Sequence, residues 1–272
     1  MKYFDVKVKI NNIRKQNKGI ETNYYANVLS DEDDVITFES EKAIIYIMQE
    51  PFRQRVYFVS ADEGELMELL QLVPKGAVLE YVHKDVNPAL LNTFQEGKLE
   101  KYATYIRHTT CYVENPFLFP EKGRRALLQE LYEPNFGEYA TVSDVDELYD
   151  LTKETFDVIC DDVYTKEKWT EIVQNKECLL YRDNGKIISY YVWRLEGKKL
   201  YSNISLNKGP ANVLYNLERR ILEQMWEKGI RIYYAWYNVE NSAALSRTNK
   251  NEEISKCVKS HSQIYNSIFV RK

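Results

Sequence analysis

The chain states one pattern twice. Lys75-Gly76-Ala77-Val78-Leu79-Glu80-Tyr81-Val82-His83-Lys84-Asp85-Val86 is matched by Lys228-Gly229-Ile230-Arg231-Ile232-Tyr233-Tyr234-Ala235-Trp236-Tyr237-Asn238-Val239. In each copy a Lys-Gly pair suited to end a helix leads into an apolar strand that closes on Asp-Val or Asn-Val. After one inserted residue the copies run on as Asn87-Pro88-Ala89-Leu90-Leu91 and Asn241-Ser242-Ala243-Ala244-Leu245. A repeat so widely spaced within 272 residues predicts two lobes built from one unit rather than one large domain.

Composition narrows the class. With 44% hydrophobic and 29% charged residues, the chain has enough apolar side chains for two packed cores and reads as globular. No apolar run approaches the roughly 18 residues of a membrane span. The opening Met1-Lys2-Tyr3-Phe4-Asp5-Val6 alternates like a strand, not like a secretion signal, so a cytoplasmic location and no membrane partner are expected. Four cysteines without paired spacing fit free thiols in a reducing compartment. The scattered histidines His83, His108 and His261 give no zinc-ligand pattern, and no metal is expected. No serine sits in a G-x-S-x-G elbow, which disfavours a Ser-His-Asp hydrolase. A net charge of −4 without a basic stripe argues against a nucleic-acid binder.

Periodicity and turn signals give the element order. In the second half, the strand Tyr139–Val142 precedes a helix started by Ser143 with Asp146 three residues on, and a second helix spans Lys166 to Asn175. The strands Cys178–Arg182 and Lys186–Trp193 meet through Asp183-Asn184-Gly185, a hairpin signal. Glu196-Gly197-Lys198-Lys199 turns into the strand Leu200–Leu206. After Pro210 comes the longest helix, with Leu214, Leu217, Ile221 and Met225 inward and Glu218, Arg219 and Arg220 outward. Ile230–Trp236 is a strand, Ser242–Thr248 a short helix and Ser262–Val270 a closing strand. The first half repeats the later part of this order, from Ala43–Met48 and Arg55–Ser60 through a helix bearing Leu66, Leu69, Leu70 and Val73. Prolines at 116, 120 and 134 flank a short helix, Glu121 to Leu131, and mark a linker. The expected divisions are a first lobe over 1–114, a linker over 115–136 and a second lobe over 137–272.

Strand, two helices, three antiparallel strands, long helix, strand, short helix and strand is an order that resembles the GNAT acyltransferases across roughly 137–272. The first half resembles a degenerate copy, as in tandem-GNAT proteins. The resemblance implies an α+β fold of two lobes, each a mixed, mainly antiparallel sheet flanked by helices. It implies acetyl-CoA or another acyl-CoA as cofactor, its pyrophosphate on main-chain amides where the long helix starts. The family turn, Arg/Gln-x-x-Gly-x-Gly/Ala, corresponds to Leu206-Asn207-Lys208-Gly209-Pro210-Ala211. Gly209 and Ala211 keep the tail, Leu206 replaces the Arg or Gln, and Lys208 offers a charge instead. Cofactor contacts are expected along Ile204, Ser205, Leu206, Lys208, Gly209, Ala211 and Asn212, and at Asn241 beside the pantetheine arm.

Thr248 stands where the family carries a tyrosine that protonates the departing thiolate. A threonine hydroxyl is a poor acid, which leaves Tyr237 on the neighbouring strand as the replacement. Glu196 is a candidate base, and Asp161 with Asp162 are candidates to bind a cationic acceptor. The first copy places Asp62, Glu63 and Glu65 where the phosphate would lie, and these acids would repel it. The implied activity is N-acyl transfer to a small amine or amino-acid-like acceptor by direct attack on the thioester, with backbone amides steadying the oxyanion. The acceptor is expected between the lobes, near the splayed ends of Lys186–Trp193 and Ile230–Tyr237, in a monomer or homodimer. The alternative is a non-catalytic tandem module that binds a small ligand or a protein. An aminoacyl transferase of the Fem type, also paired lobes, is disfavoured by the lack of a long helical arm or a basic surface.

Overall fold

Gly76 and Gly229 both take left-handed φ values, +81° and +83°, each just before a strand. The repeat in the sequence is therefore also a repeat of backbone. The computed structural model describes residues 1–23, 29–84, 88–119, 124–245 and 257–272. The chain divides into two units, one of residues 1–105 with 264–272 and one of residues 106–263.

The first unit contains α1 (Tyr3–Gln16), β1 (Glu21–Thr22), β2 (Ile36–Glu39), β3 (Ala43–Gln49), β4 (Gln54–Ser60), α2 (Glu63–Leu70), β5 (Val78–His83), α3 (Leu90–Glu96) and the start of β6 (Leu99–Tyr112). Its strands run in the order β2, β3, β4, β5. The end of the chain's last strand then pairs antiparallel with β5, from Tyr265↔His83 to Val270↔Val78. The N-terminus is a helix, not the expected strand. Tyr3, Val6, Ile10 and Ile13, spaced at helical intervals, pack on Ile44, Tyr46, Tyr57 and Val59. On the other face α2 and α3 cover Ile45, Val56 and Phe58, and Phe269 from the chain's end completes that core.

The second unit continues with the rest of β6, then α4 (Arg124–Glu130), β7 (Glu138–Tyr139), α5 (Val145–Thr155), α6 (Lys166–Gln174), β8 (Cys178–Asp183), β9 (Lys186–Glu196), β10 (Lys199–Asn207), α7 (Ala211–Glu227), β11 (Ile232–Asn238), α8 (Ser242–Leu245) and the start of β12 (Val258–Arg271). Strand order is β7, β8, β9, β10, β11, with β6 beyond. Asn184 and Gly185, at φ +49° and +79°, form the two-residue loop between Asp183 and Lys186, as a primed hairpin turn requires. Trp169, Ile172 and Leu148 fill one face of the sheet. Leu214, Leu217, Ile221 and Met225 of α7 fill the other.

The division falls between Tyr105 and Ile106 rather than in 115–136, and Ile264–Lys272 belong to the first unit. The segment expected as a linker is bound to α7. Fully buried Asn216 accepts from Glu133 N at 3.0 Å and donates to Leu131 O at 3.2 Å. Arg220 donates to the carbonyls of Asn135, Phe136 and Gly137 at 3.0, 2.9 and 2.8 Å. Arg219, expected outward, is only 9% exposed. It bonds Glu223 and the Tyr215 hydroxyl and covers the Tyr132 ring at 4.7 Å, since aromatic faces and fixed acceptors offset the burial of a guanidinium. The cap before α5 is also two residues earlier than expected. Asp144 Oδ2 accepts from Thr141 N at 2.7 Å and from Thr141 Oγ1 at 2.9 Å.

Candidate functional site

β10 and β11 pair in parallel from Lys199↔Ile232 to Ser202↔Ala235. Beyond that pair they part among the described residues. Against β9, the register of β10 shifts between Ser202 and Ile204, so one extra residue, Asn203, is held in a bulge. The bulge exchanges faces. Leu200 packs with α7, whereas Ile204 and Leu206 pack with α5 and α6, although an unbroken strand would put all three on one side. The strand that parts from β11 is therefore β10, and not Lys186–Trp193, which pairs with β8 and β10.

At the end of β10 the turn into α7 is held by Asn207. Its carboxamide accepts from Gly209 N at 3.3 Å and donates to Gly209 O at 3.0 Å and Pro210 O at 3.1 Å. Lys208 N donates to Ile188 O at 2.8 Å. A Cβ on Gly209 would lie 2.9 Å from Ile188 Cδ1, so glycine lets the loop approach β9. α7 starts behind Pro210 with no side-chain cap and no acid in its first turn. As the first amides of the helix, those of Ala211 and Asn212 have no intrahelical carbonyl to bond, and their field favours an anion. These residues fit a diphosphate.

Ile204 and Leu206 are buried, so they can offer a ligand only main chain, while Ser205 is half-buried. Lys208 Nζ lies 3.8 Å from Glu154 on the surface, a loose pair worth little. Asn241 is exposed just before α8, its amide on Asn238 O at 3.0 Å. Thr248 lies outside the described residues.

The first unit treats the matching places differently. β4 and β5 pair only at Arg55↔Val78 and Val56↔Leu79. Where they part, β1 lies along β4 at Val59 and Ser60. Buried Asn23 follows it, accepting from Phe58 N at 2.7 Å and donating to Val56 O at 2.8 Å and Glu80 O at 3.0 Å. The start of α2 is capped by Asp62, which accepts from Glu65 N at 3.0 Å, with Glu63 and Glu65 in the first turn.

On the α5–α6 side of the second unit's sheet, the Tyr201 hydroxyl donates to Asp162 at 3.4 Å. The Tyr201 ring stacks on Tyr234 at 4.8 Å. Burial, with Asp162 adding to it, raises the Tyr201 hydroxyl well above its ordinary value, so it stays protonated. Asp161 is apart from this group. Its carboxylate accepts from Asp157 N at 2.9 Å and closes its own loop. Glu196 sits at the paired end of the strands, opposite Lys199, bonded to the Tyr234 hydroxyl and to Arg194 at 2.8 Å. The two sequence candidates are thus placed away from the opening.

Three side chains that periodicity did not single out stand nearer. Asn203 Nδ2 donates to the Tyr164 hydroxyl, whose titration burial pushes upward. Arg107 of β6 lies over the rings of Tyr234 and Trp236, 5.4 and 5.5 Å from their centroids. The hairpin between β9 and β10 was legible, but no local signal announces a bulge at Asn203. Tyr237 alternates onto the α7 side with Tyr233, its ring edge-on to His108 at 5.8 Å.

No protein-family model matches the chain, and no curated protein matches it. Solved structures do. A GCN5-related N-acetyltransferase from Sphaerobacter thermophilus is similar at a TM-score of 0.52 and 13% identity, over 90% of this chain and 83% of that one. A functionally unknown conserved protein from Staphylococcus epidermidis is similar at 0.51 and 7% identity, over 88% and 95%. With the repeated β-α-β unit, the parted parallel strands and the long helix between them, the chain has a GNAT-like α+β fold in two lobes.

Proposed function

We propose that the second unit is an acyl-CoA-dependent N-acyltransferase, with acetyl-CoA as the donor and a small amine or amino-acid-like molecule as the acceptor. The observation that carries this reading is the uncapped, acid-free start of α7 beside the opening between β10 and β11. Main-chain donors at Ala211 and Asn212 would hold the diphosphate, with Gly209 letting the turn lie close to β9. The edge of β10 from Asn203 to Asn207 would receive the pantetheine arm, which passes Asn241. An acyl-CoA bound there supplies an activated thioester carbonyl.

The acceptor approaches from the Asp162 side. Its neutral amine attacks the thioester carbon, a C–N bond forms, the C–S bond breaks and the amine's surplus proton leaves to water. The departing sulfur takes a proton, for which Tyr237 on the α7 side is the candidate donor. A non-catalytic binding module is the second reading. Burial of Leu206 in place of a family Arg or Gln, and the turn of Lys208 toward Glu154, favour it.

A thermal-shift series decides between them. A rise of several degrees with millimolar acetyl-CoA is expected, because a ligand of the folded state stabilises it by mass action. No rise would support the binding module.

A further inference from the structure

Arg107 lies in the part of β6 that belongs to the second unit. It is half-buried, and its Nε has no hydrogen-bond partner. Among the described residues no carboxylate reaches it. The neighbouring Arg194, over Tyr201 at 4.8 Å, is instead neutralised by Glu196. A guanidinium held over two rings keeps its planar fork of donors pre-organised. Leaving buried donors unpaired is costly unless a ligand arrives to accept from them, and the fork matches a carboxylate.

Asn203 makes the complementary demand. Its Nδ2 is engaged by Tyr164, while its Oδ1 is buried without a donor. Register sets it past the last β10–β11 pair, level with Trp236. It is on the face of Arg107, because Tyr201 on that face bonds Asp162, two residues before Tyr164. The opening thus offers one group that needs an anion and another that needs an N–H. A polyamine satisfies only the second and is repelled by the first.

We propose that the acceptor is an amino acid, its carboxylate on the Arg107 guanidinium and its amino group donating to Asn203 Oδ1. The transfer role rests on the acyltransferase reading above; the binding of the amino acid does not. In the transfer, the amine nitrogen bonds the acyl carbon as the C–S bond breaks, which yields an N-acyl amino acid and the free thiol of CoA.

Calorimetry on the full chain, with and without acetyl-CoA, tests this with the standard L-amino acids, their α-carboxamides and their decarboxylated amines. At least one amino acid is expected to bind ten- to a hundredfold more tightly than its carboxamide, about the worth of a charge-assisted pair. Arg107→Gln should erase that difference, and Arg107→Lys should restore part of it. In both variants the acetyl-CoA thermal shift should remain, which also shows that they fold. Equal binding of acid and carboxamide by the native chain, or a preference that survives Arg107→Gln, would overturn the proposal. An Arg107-dependent preference without any acetyl-CoA shift would keep the site and remove the acyltransferase reading.

Discussion

The Asn23 side chain accepts from the Phe58 amide at 2.7 Å and, with its own donors on Val56 O and Glu80 O, stitches together the edges of β4 and β5. A carboxamide of the chain itself occupies the place in the first unit that the second unit leaves between β10 and β11. Asn23→Leu would lose three hydrogen bonds and leave buried backbone groups unpaired, at about 1–3 kcal/mol for each such group. A loss of roughly 3 kcal/mol or more in denaturant unfolding of the first unit is expected. A change under about 1 kcal/mol would mean that Asn23 does not close this edge.

Only one acyl-CoA should bind per chain. In the first unit Asp62 already takes an amide at the helix start and two more carboxylates stand in the first turn. Calorimetry should give a single equivalent, and Gly209→Glu should abolish it, because its Cβ would push the turn away from Ile188 and its carboxylate would add negative charge beside the diphosphate. Two equivalents, or undiminished binding in that variant, would contradict the assignment.

Tyr237→Phe isolates the acid. If its hydroxyl protonates the leaving sulfur, kcat should fall about a hundredfold while the acetyl-CoA Kd holds, in the range usual for a lost general acid. Unchanged turnover would retire Tyr237 from that role.

Asp144 predicts an acid-sensitive second unit. Burial alone would raise its carboxyl, but hydrogen bonds from Thr141 and the Arg182 guanidinium, 2.5 Å away, hold it below the ordinary value. A depressed folded-state value contributes stability above the unfolded value, near pH 4, that is lost as pH falls through the folded one. Asp144→Asn should therefore cost about 1–2 kcal/mol at pH 7, and the gap to the native chain should close in more acidic solution. A gap independent of pH would mean that packing, not charge, is at stake.

Gly137 should not tolerate a side chain. Its φ is +75°, and a Cβ would fall 2.3 Å from Leu217 Cδ2 and 2.8 Å from Leu180 O. Gly137→Ala combines left-handed strain with overpacking, for about 2–4 kcal/mol. An urea midpoint equal to that of the native chain would refute this close approach.

The sequence by itself determined much of the frame. Two Lys-Gly stops, the Asn184-Gly185 hairpin and the apolar stripe of α7 are local signals, each carried by a few neighbouring residues, and they place most strands and helices. The acids at 62, 63 and 65 against the neutral Gly209-Pro210-Ala211 likewise separate the two helix starts without any coordinates. The opening Tyr3-Phe4-Asp5-Val6 misled because four residues fit a period of two, while Tyr3, Val6, Ile10 and Ile13 need a longer window to reveal a helix.

Only the tertiary structure decided the rest. A bulge at Asn203, the return of Ile264–Lys272 to the first unit, the separation of Asp161 from Asp162, and the placing of Arg107 over Tyr234 and Trp236 depend on how distant strands pair. Pairing register is set by side-chain packing across the whole sheet. A one-residue shift sends each side chain to the opposite face, and nothing in a strand's own residues records which neighbour it will meet.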